Sequence, residues 1–463
     1  MQAILNELID RDFELLVADT QELIRIPSVL DESEAKPGSP FGEAIRVALD
    51  LALNKADKMG FKTKNVDGYA GYAELGDSGD QVGILAHLDV VPAAGDWIVP
   101  PFAGNILDNK LYGRGSVDDK GPGMACLYAM KAIKESGLPF SKRARLIWGT
   151  DEETLARGIY YYLDKEENPL YGFSPDAEFP IVHAEKGTIR FMYHLPCADA
   201  DILAINAGTR LNVVPNCAHA KLSGVTEKAL IGCAEKAAAI TKTKFTFSFE
   251  NGYVLVTADG LASHACYPEE GVNAIQGLLV LLNELFPDAD SPLKKSLHAF
   301  ASSLKDETDG KSMRVACSDE ISGSLTLNTA ILDVNENGGV IKFDIRYPVT
   351  RSGNEIIDLL TGLESEAYAK FELIQHKPPL HIEKNSHFIK LLQRAYEDCT
   401  GQEPRCISIG GGTYCRYIKN TVSFGPVFPG QKELAHQCNE FIDLDNLKMI
   451  AKIYAQAIYN LIE

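Results

Sequence analysis

The segment that most constrains this chain is Val82-Gly83-Ile84-Leu85-Ala86, followed directly by His87-Leu88-Asp89-Val90-Val91-Pro92. An unbroken apolar run of this kind reads as a strand buried on both faces of a parallel sheet. His87 then stands at the carboxyl end of that strand, the edge of an open α/β sheet where ligands and active sites collect. Asp89, two residues on, alternates back to the same side of an extended chain, within reach of the His87 ring. A histidine that binds a metal needs such a partner on its other nitrogen.

The rest of the chain supplies a setting for that strand. At 463 residues it exceeds what one core supports, so two or more domains are expected. Residues 1–24 and 42–59 read as helices, the second closed by Gly60. Strands are expected near 71–75, 82–88 and 143–149, and a helix near 122–136 ends before Gly137. This alternation predicts an α/β fold with a mainly parallel sheet flanked by helices. The pattern changes near Glu185-Lys186-Gly187. From there to about residue 380, strands of alternating polarity (245–249, 253–257, 325–332, 340–347) mix with amphipathic helices (227–240, 271–286, 291–304). That reads as an inserted α+β domain with antiparallel strands. The helix–sheet signal returns afterwards, with helices at 385–399 and 444–462. The expected division is 1–185 with 381–463, interrupted by 186–380.

Composition excludes several classes of function. The chain is 45% apolar and 24% charged, with a net charge of −19 and no long basic run. Nucleic acid and anionic membrane surfaces are therefore not expected partners. Ten cysteines without a C-x-x-C pair argue against a disulfide scaffold and for free thiols in a reducing cytoplasm. The first residues mix Glu7, Asp10, Arg11, Asp12 and Glu14 into an amphipathic helical pattern, so no signal peptide is read. No segment has the uncharged length of a membrane span. A soluble cytoplasmic protein is the expectation.

Four further clusters carry the polar groups of a site: Gly113-Arg114-Gly115-Ser116-Val117-Asp118-Asp119-Lys120-Gly121-Pro122, Thr150-Asp151-Glu152-Glu153-Thr154, Ser174-Pro175-Asp176-Ala177-Glu178-Phe179-Pro180 and Ala435-His436-Gln437-Cys438-Asn439-Glu440. Each has a plainer reading. The glycine-rich run also suits a phosphate-binding turn, although it lacks a complete fingerprint. The acidic triplet also suits a solvated helix start, the Ser-Pro-Asp run a simple turn, and His436 a loop histidine. Taken together, His87, Asp118, Glu153, Asp176 and His436 supply two imidazoles and three carboxylates. That set suits two borderline divalent ions. One carboxylate would bridge ions ~3.5–4 Å apart, leaving a histidine and a carboxylate for each. Glu152 is then left beside the pair, free to take a proton from water and pass it to a leaving amine.

The ordered set HLDVVP, GRGSVDDKGP, TDEET, SPDAEFP and HQCNE resembles the M20 metallopeptidase family, and within it the PepV-type bacterial dipeptidases. The resemblance spans essentially the whole chain and implies a two-metal catalytic domain interrupted by a lid. By motif, His87 and Asp176 would bind one ion, Glu153 and His436 the other, and Asp118 would bridge them ahead of a cis Asp118–Asp119 peptide. Glu152 would be the general base and Asp89 the group orienting His87. In the lid, His264 of Gly260-Leu261-Ala262-Ser263-His264 would stabilise the oxyanion, although the family order is Ser-Ala-His. Arg346 would clamp the substrate carboxylate, with Asn216 and the Gly410-Gly411 loop as further contacts. The plainer reading of Arg346 is a surface salt bridge to Asp344 or another acid. Thr154 stands where many members have glycine, which removes no ligand.

The implied activity is a zinc-dependent dipeptidase of two divalent ions, Mn²⁺ or Co²⁺ being served by the same ligands. Its substrate would be a dipeptide, and a large lid favours a monomer. An N-acyl amino-acid deacylase or desuccinylase of the same fold needs the same core motifs. A pseudoenzyme would be expected to have lost one of them.

Overall fold

The computed structural model describes residues 1–250 and 252–463, which fall into two compact units. The first comprises Met1–His183, His381–Ile407 and Gly412–Glu463; the second comprises Ala184–Leu380 with Ser408–Gly411.

The first unit is built on a sheet in which Lys62–Val66, Ala70–Leu75, Arg143–Gly149, Gln81–His87, Tyr171–Ser174, Thr421–Ser423 and Ile181–Glu185 lie side by side in that order. The four strands from Arg143–Gly149 to Thr421–Ser423 are mutually parallel. The flanking strands Lys62–Val66 and Ala70–Leu75 are antiparallel. Every residue of Gln81–His87 is buried. The helices Gln2–Ile24, Glu43–Lys58, Lys120–Ser136, His387–Thr400 and Leu444–Ile462 contribute to the core around this sheet. Lys120–Ser136 is the central one, packed against both Gln2–Ile24 and Leu444–Ile462 and buried at nearly every position of its first three turns. It ends where Gly137 takes the left-handed conformation (φ 66°) that favours glycine.

The second unit is an eight-stranded, wholly antiparallel sheet in the order Lys244–Glu250, Tyr253–Asp259, Cys217–Leu222, Ile202–Ala207, Thr326–Asn335, Gly338–Tyr347, Gly187–Leu195 and Lys370–Lys377. Helices Glu227–Thr241, Ala274–Leu285, Pro292–Leu304 and Gly353–Gly362 share its core, with Phe191, Tyr193, Phe300 and Phe343 at the centre. Among the described residues, no helix is long and apolar enough to cross a membrane.

Candidate active site

Three parallel strands of the first unit deliver polar groups at their carboxyl ends. His87 is the last residue of Gln81–His87, Glu152 and Glu153 follow Arg143–Gly149, and Asp176 follows Tyr171–Ser174. Loops leaving parallel strands at this edge converge, so residues far apart in sequence meet there. Asp118 comes from the loop ahead of helix Lys120–Ser136. His436 comes from the loop ahead of Phe441–Asp443, a strand that pairs with Lys110–Tyr112 and so joins the Asp118 and His436 segments.

Asp118 presents its two carboxylate oxygens to two different histidines. Oδ1 lies 2.9 Å from His87 Nε2, and Oδ2 lies 3.1 Å from His436 Nε2. His87 Nε2 is also 3.8 Å from Asp176 Oδ2, and His436 Nε2 is 2.8 Å from Glu153 Oε2. Glu153 Oε1 is buried without a hydrogen-bond partner. The ligand atoms of His87, Asp118 and Glu153 lie within 4.8 Å of one another, as do those of His87, Glu152 and Asp176. A donor set of imidazole nitrogens and carboxylate oxygens, one oxygen orphaned, fits divalent cations. The peptide joining Asp118 and Asp119 is cis.

Glu152 belongs to this cluster but is bonded differently from Glu153. Among the described residues no donor reaches its carboxylate, whereas Glu153 faces His436. Burial pushes the Glu152 carboxyl up to about 8, aided by the charges of Glu153, Asp89 and Asp118 and opposed by His87. Burial likewise raises Asp176, with the Asp118 charge adding to it. Asp118 is shifted the other way: hydrogen bonds from His436 and His87 outweigh its burial and hold it well below the usual carboxylate range.

Asp89 departs from the expected arrangement. His87 Nδ1 lies 2.9 Å from the main-chain carbonyl of Asp89, whose carboxylate is 3.7 Å from that nitrogen. The carboxylate instead accepts the backbone N–H of Glu152 (3.1 Å) and of Glu153 (3.0 Å). Two adjacent N–H groups in a buried turn need acceptors, and one carboxylate satisfies both. Asp89 therefore holds His87 through its backbone and the acidic pair through its side chain.

Two of the plainer readings are also resolved. The acidic triplet is not a helix start, because the helix begins at Arg157 (Arg157–Lys165). Asp151 is buried and holds the intervening turn, accepting Arg157 N at 3.0 Å and Arg157 Nε at 2.7 Å. The glycine-rich run does form a concave row of N–H groups of the kind that cradles anions. Its occupant is the chain's own Glu440, whose Oε1 accepts Gly115 N (3.0 Å), Val117 N (2.9 Å) and Asp118 N (3.3 Å).

The remaining expected residues lie in the second unit. Segments 212–216 and 260–265 run side by side, joined by Val214 N to Ser263 O, Gly260 N to Asn216 O and Ala265 N to Asn212 O. This brings Asn216 and His264 onto neighbouring chains, both exposed. The backbone N–H of Cys266 donates to His264 Nδ1 at 3.3 Å, which in the neutral ring leaves the proton on Nε2. A side chain at Gly410 would collide with Cys266 (2.8 Å), so this loop abuts the His264 segment. Arg346 is buried and donates to Asp344 through Nε and Nη2 and to the Gly410 carbonyl through Nη1 (3.0 Å). Asp344 also accepts from Arg190 Nε at 2.9 Å. Two guanidinium groups share one carboxylate, so the Arg190–Asp344–Arg346 trio carries a net positive charge. The salt bridge to Asp344 is therefore present, but Arg346 is not a surface residue.

The sequence profile of peptidase family M20/M25/M40 matches residues 83–460. A Bacillus subtilis (strain 168) protein named "Putative dipeptidase YtjP" is 41% identical over 97% of this chain and 98% of its own length. The chain belongs to peptidase family M20/M25/M40. A Staphylococcus epidermidis relative of like name is 34% identical over 96% of this chain and 97% of its own. Human carnosine dipeptidase 1 shares the fold at a TM-score of 0.62, with 16% identity over 99% of this chain and 98% of that one. So does the di-peptidase Dug1p of Saccharomyces cerevisiae, at 0.61 and 15% identity over the same shares.

Two features of this M20 chain escape sequence reasoning. Glu440 stands in the HQCNE motif, yet only its histidine carries an obvious chemical reading. Arg114, in the glycine-rich motif, donates to Glu440 Oε2 at 2.6 Å, and both side chains are buried. The second feature is Tyr414, fully buried against the end of strand Arg143–Gly149: a Cβ at Gly149 would lie 2.0 Å from its hydroxyl. A lone tyrosine more than 250 residues away gives no signal of that contact.

Proposed function

We propose that this M20 peptidase is a dipeptidase whose site holds two divalent cations, with Asp118 bridging them. His87 and Asp176 would bind one, Glu153 and His436 the other. The observation that carries the proposal is Asp118 itself, each of whose oxygens faces a different histidine, each histidine being near a further carboxylate. When bound, the ions supply Lewis-acid polarisation of the scissile carbonyl and lower the pKa of the attacking water. Zinc is the first expectation, since nitrogen and oxygen donors suit it, and Mn²⁺ and Co²⁺ share that preference.

The chain's own residues do the rest. Glu152 takes the proton of the attacking water and returns it to the leaving amine, a role suited to a carboxylate that no donor holds among the described residues. Asp89 keeps Glu152 and Glu153 in register through their backbone. The second unit acts as a lid: His264 donates from Nε2 to the developing oxyanion. Arg346, with the excess positive charge of its pair around Asp344, receives the C-terminal carboxylate of the substrate. Asn216, on the segment paired with that of His264, and the Gly410-Gly411 loop, bonded to Arg346 through the Gly410 carbonyl, would contact the substrate beside these two. The dipeptidase names of the Bacillus and Staphylococcus relatives favour this reading over an N-acyl amino-acid deacylase. Ten cysteines outside any disulfide support a reducing compartment such as the cytoplasm.

The test is Glu152→Ala, assayed by amino-acid release from dipeptides and by release of acetate or succinate from N-acyl amino acids. Dipeptide hydrolysis by the wild type should exceed N-acyl hydrolysis. In the variant it should fall by roughly 10²–10⁴-fold, as expected for a lost general base, while both ions stay bound. Retained hydrolysis would refute the role of Glu152, and preferred N-acyl cleavage would refute the substrate class.

A further inference from the structure

We infer that Glu440 is a positioning residue for the metal centre: its carboxylate holds the loop that presents Asp118 and, from the same segment, the loop that presents His436. The inference rests on the two-metal reading above.

The observations come from both ends of the side chain. Glu440 is fully buried, a costly place for a carboxylate unless every oxygen is bonded. Its Oε1 gathers three consecutive-loop donors, the N–H groups of Gly115, Val117 and Asp118. Its Oε2 is paired with the buried Arg114 guanidinium, which also lies over the Trp97 ring at 5.4 Å. Its main-chain carbonyl accepts Gly113 N at 3.0 Å. One residue thus binds the 113–118 loop at four backbone positions, the last being the N–H of Asp118 itself.

The same residue closes the loop that carries His436. His436 and Asn439 both adopt left-handed backbone conformations (φ 65° and 60°), which outside glycine need support from their surroundings. Asn439 supplies part of it by accepting Ile98 N at 2.7 Å and donating to Asp96 O at 3.3 Å. Glu440 supplies the anchor on the other side. The distance from Asp118 Oδ2 to His436 Nε2 is therefore set by a short path through Glu440 rather than by two independent loops. Residues that orient ligands in this way typically account for ~10–100-fold in metal affinity.

Glu440→Gln keeps an oxygen for the three N–H groups but removes the charge opposite Arg114; Glu440→Ala removes both. Each protein, stripped and then titrated with Zn²⁺ and separately with Mn²⁺, is read by calorimetry for ion affinity and by elemental analysis for stoichiometry. Circular dichroism confirms that the protein is folded. Wild type should bind two ions. Glu440→Gln should bind at least one of them ~10-fold more weakly, and Glu440→Ala ~100-fold more weakly, with kcat recovering as excess metal refills the site. Should the alanine variant not fold, the glutamine variant decides alone. A folded Glu440→Gln protein that binds both ions with wild-type affinity overturns the inference, even if its melting temperature falls, because a merely structural role predicts that pattern. A wild-type chain that binds fewer than two ions overturns the two-metal reading instead.

Discussion

Replacing Asp89 by asparagine separates two readings of the His-x-Asp segment. The side chain is buried, and its carboxylate accepts two backbone bonds of 3.1 and 3.0 Å from Glu152 and Glu153. Asparagine has the same shape, but one of its two acceptor oxygens becomes an NH₂ group. One N–H then faces a donor in a buried turn. A hydrogen bond to a charged group contributes about 1.5–3 kcal/mol, and each 1.36 kcal/mol is tenfold in rate. If the loss falls on the placement of Glu152, kcat drops by roughly 10–150-fold. A second signature follows from charge. Burial is the main cause of the raised Glu152 carboxyl, but the Asp89 charge adds to it. Removing that charge lowers the pKa of the base, so the acid limb of kcat/KM against pH moves to lower pH.

The assay is amino-acid release from a dipeptide at saturating metal across pH 5–9, with a metal titration in parallel. Reduced kcat, a limb shifted to lower pH and unchanged ion affinity at the His87 site are the expected results. His87 should be spared, because the group on its Nδ1 is the Asp89 main-chain carbonyl, which the substitution leaves in place. A variant with normal kcat per loaded site but weakened metal binding would refute the reasoning. It would show that the Asp89 carboxylate serves the imidazole after all.

Two further substitutions probe the surroundings. Gly149→Ala places a methyl group within 2.0 Å of the Tyr414 hydroxyl, and is expected to cost about 1–3 kcal/mol of stability by overpacking and to lower kcat by displacing the turn that carries Glu152; an unchanged denaturation midpoint would argue against that contact. Arg346→Lys removes the planar fork shared with Asp344 and Gly410 and is expected to raise KM for dipeptides by about tenfold or more with kcat little changed. Wild type should discriminate against dipeptide amides, and the lysine variant should lose that discrimination; an unchanged ratio would remove the carboxylate role.

Much of this was legible in the chain because the signals were local. The apolar run at 82–86 marks a strand covered on both faces, and Gly137 ends its helix where the pattern says. The antiparallel second unit follows from alternating polarity in 325–332 and 340–347, now seen as paired strands Thr326–Asn335 and Gly338–Tyr347. What was not legible lacked such a signal. Tyr171–Ser174 is four residues long, too short for a period to register, yet its end positions Asp176. The helix Arg157–Lys165 was hidden because the acids before it imitate a helix start. The Glu440 cradle depends on a contact across more than 320 residues, which no local pattern encodes.

The acidic triplet shows why such a site resists reading from sequence. Asp151, Glu152 and Glu153 are adjacent and chemically alike, and spacing cannot rank them. The structure separates them by what each carboxylate is bonded to. Asp151 is held by Arg157 and by the Thr154 hydroxyl, so its charge is spent on the turn. Glu153 faces His436 with one oxygen and leaves the other buried and unsatisfied. Among the described residues, Glu152 receives no donor on its carboxylate. A buried carboxylate without partners is costly, and a fold tolerates it only where a cation, a water or a substrate proton supplies the missing bond. The same test sorts Glu440, which is saturated with donors, from Asp118, whose two oxygens are turned toward two imidazoles. Of the five acids compared, Asp151 and Glu440, whose oxygens are satisfied by the backbone and by arginine, build the frame. Of these five, the ones whose oxygens are not so satisfied, Asp118, Glu152 and Glu153, are the ones aimed at the chemistry.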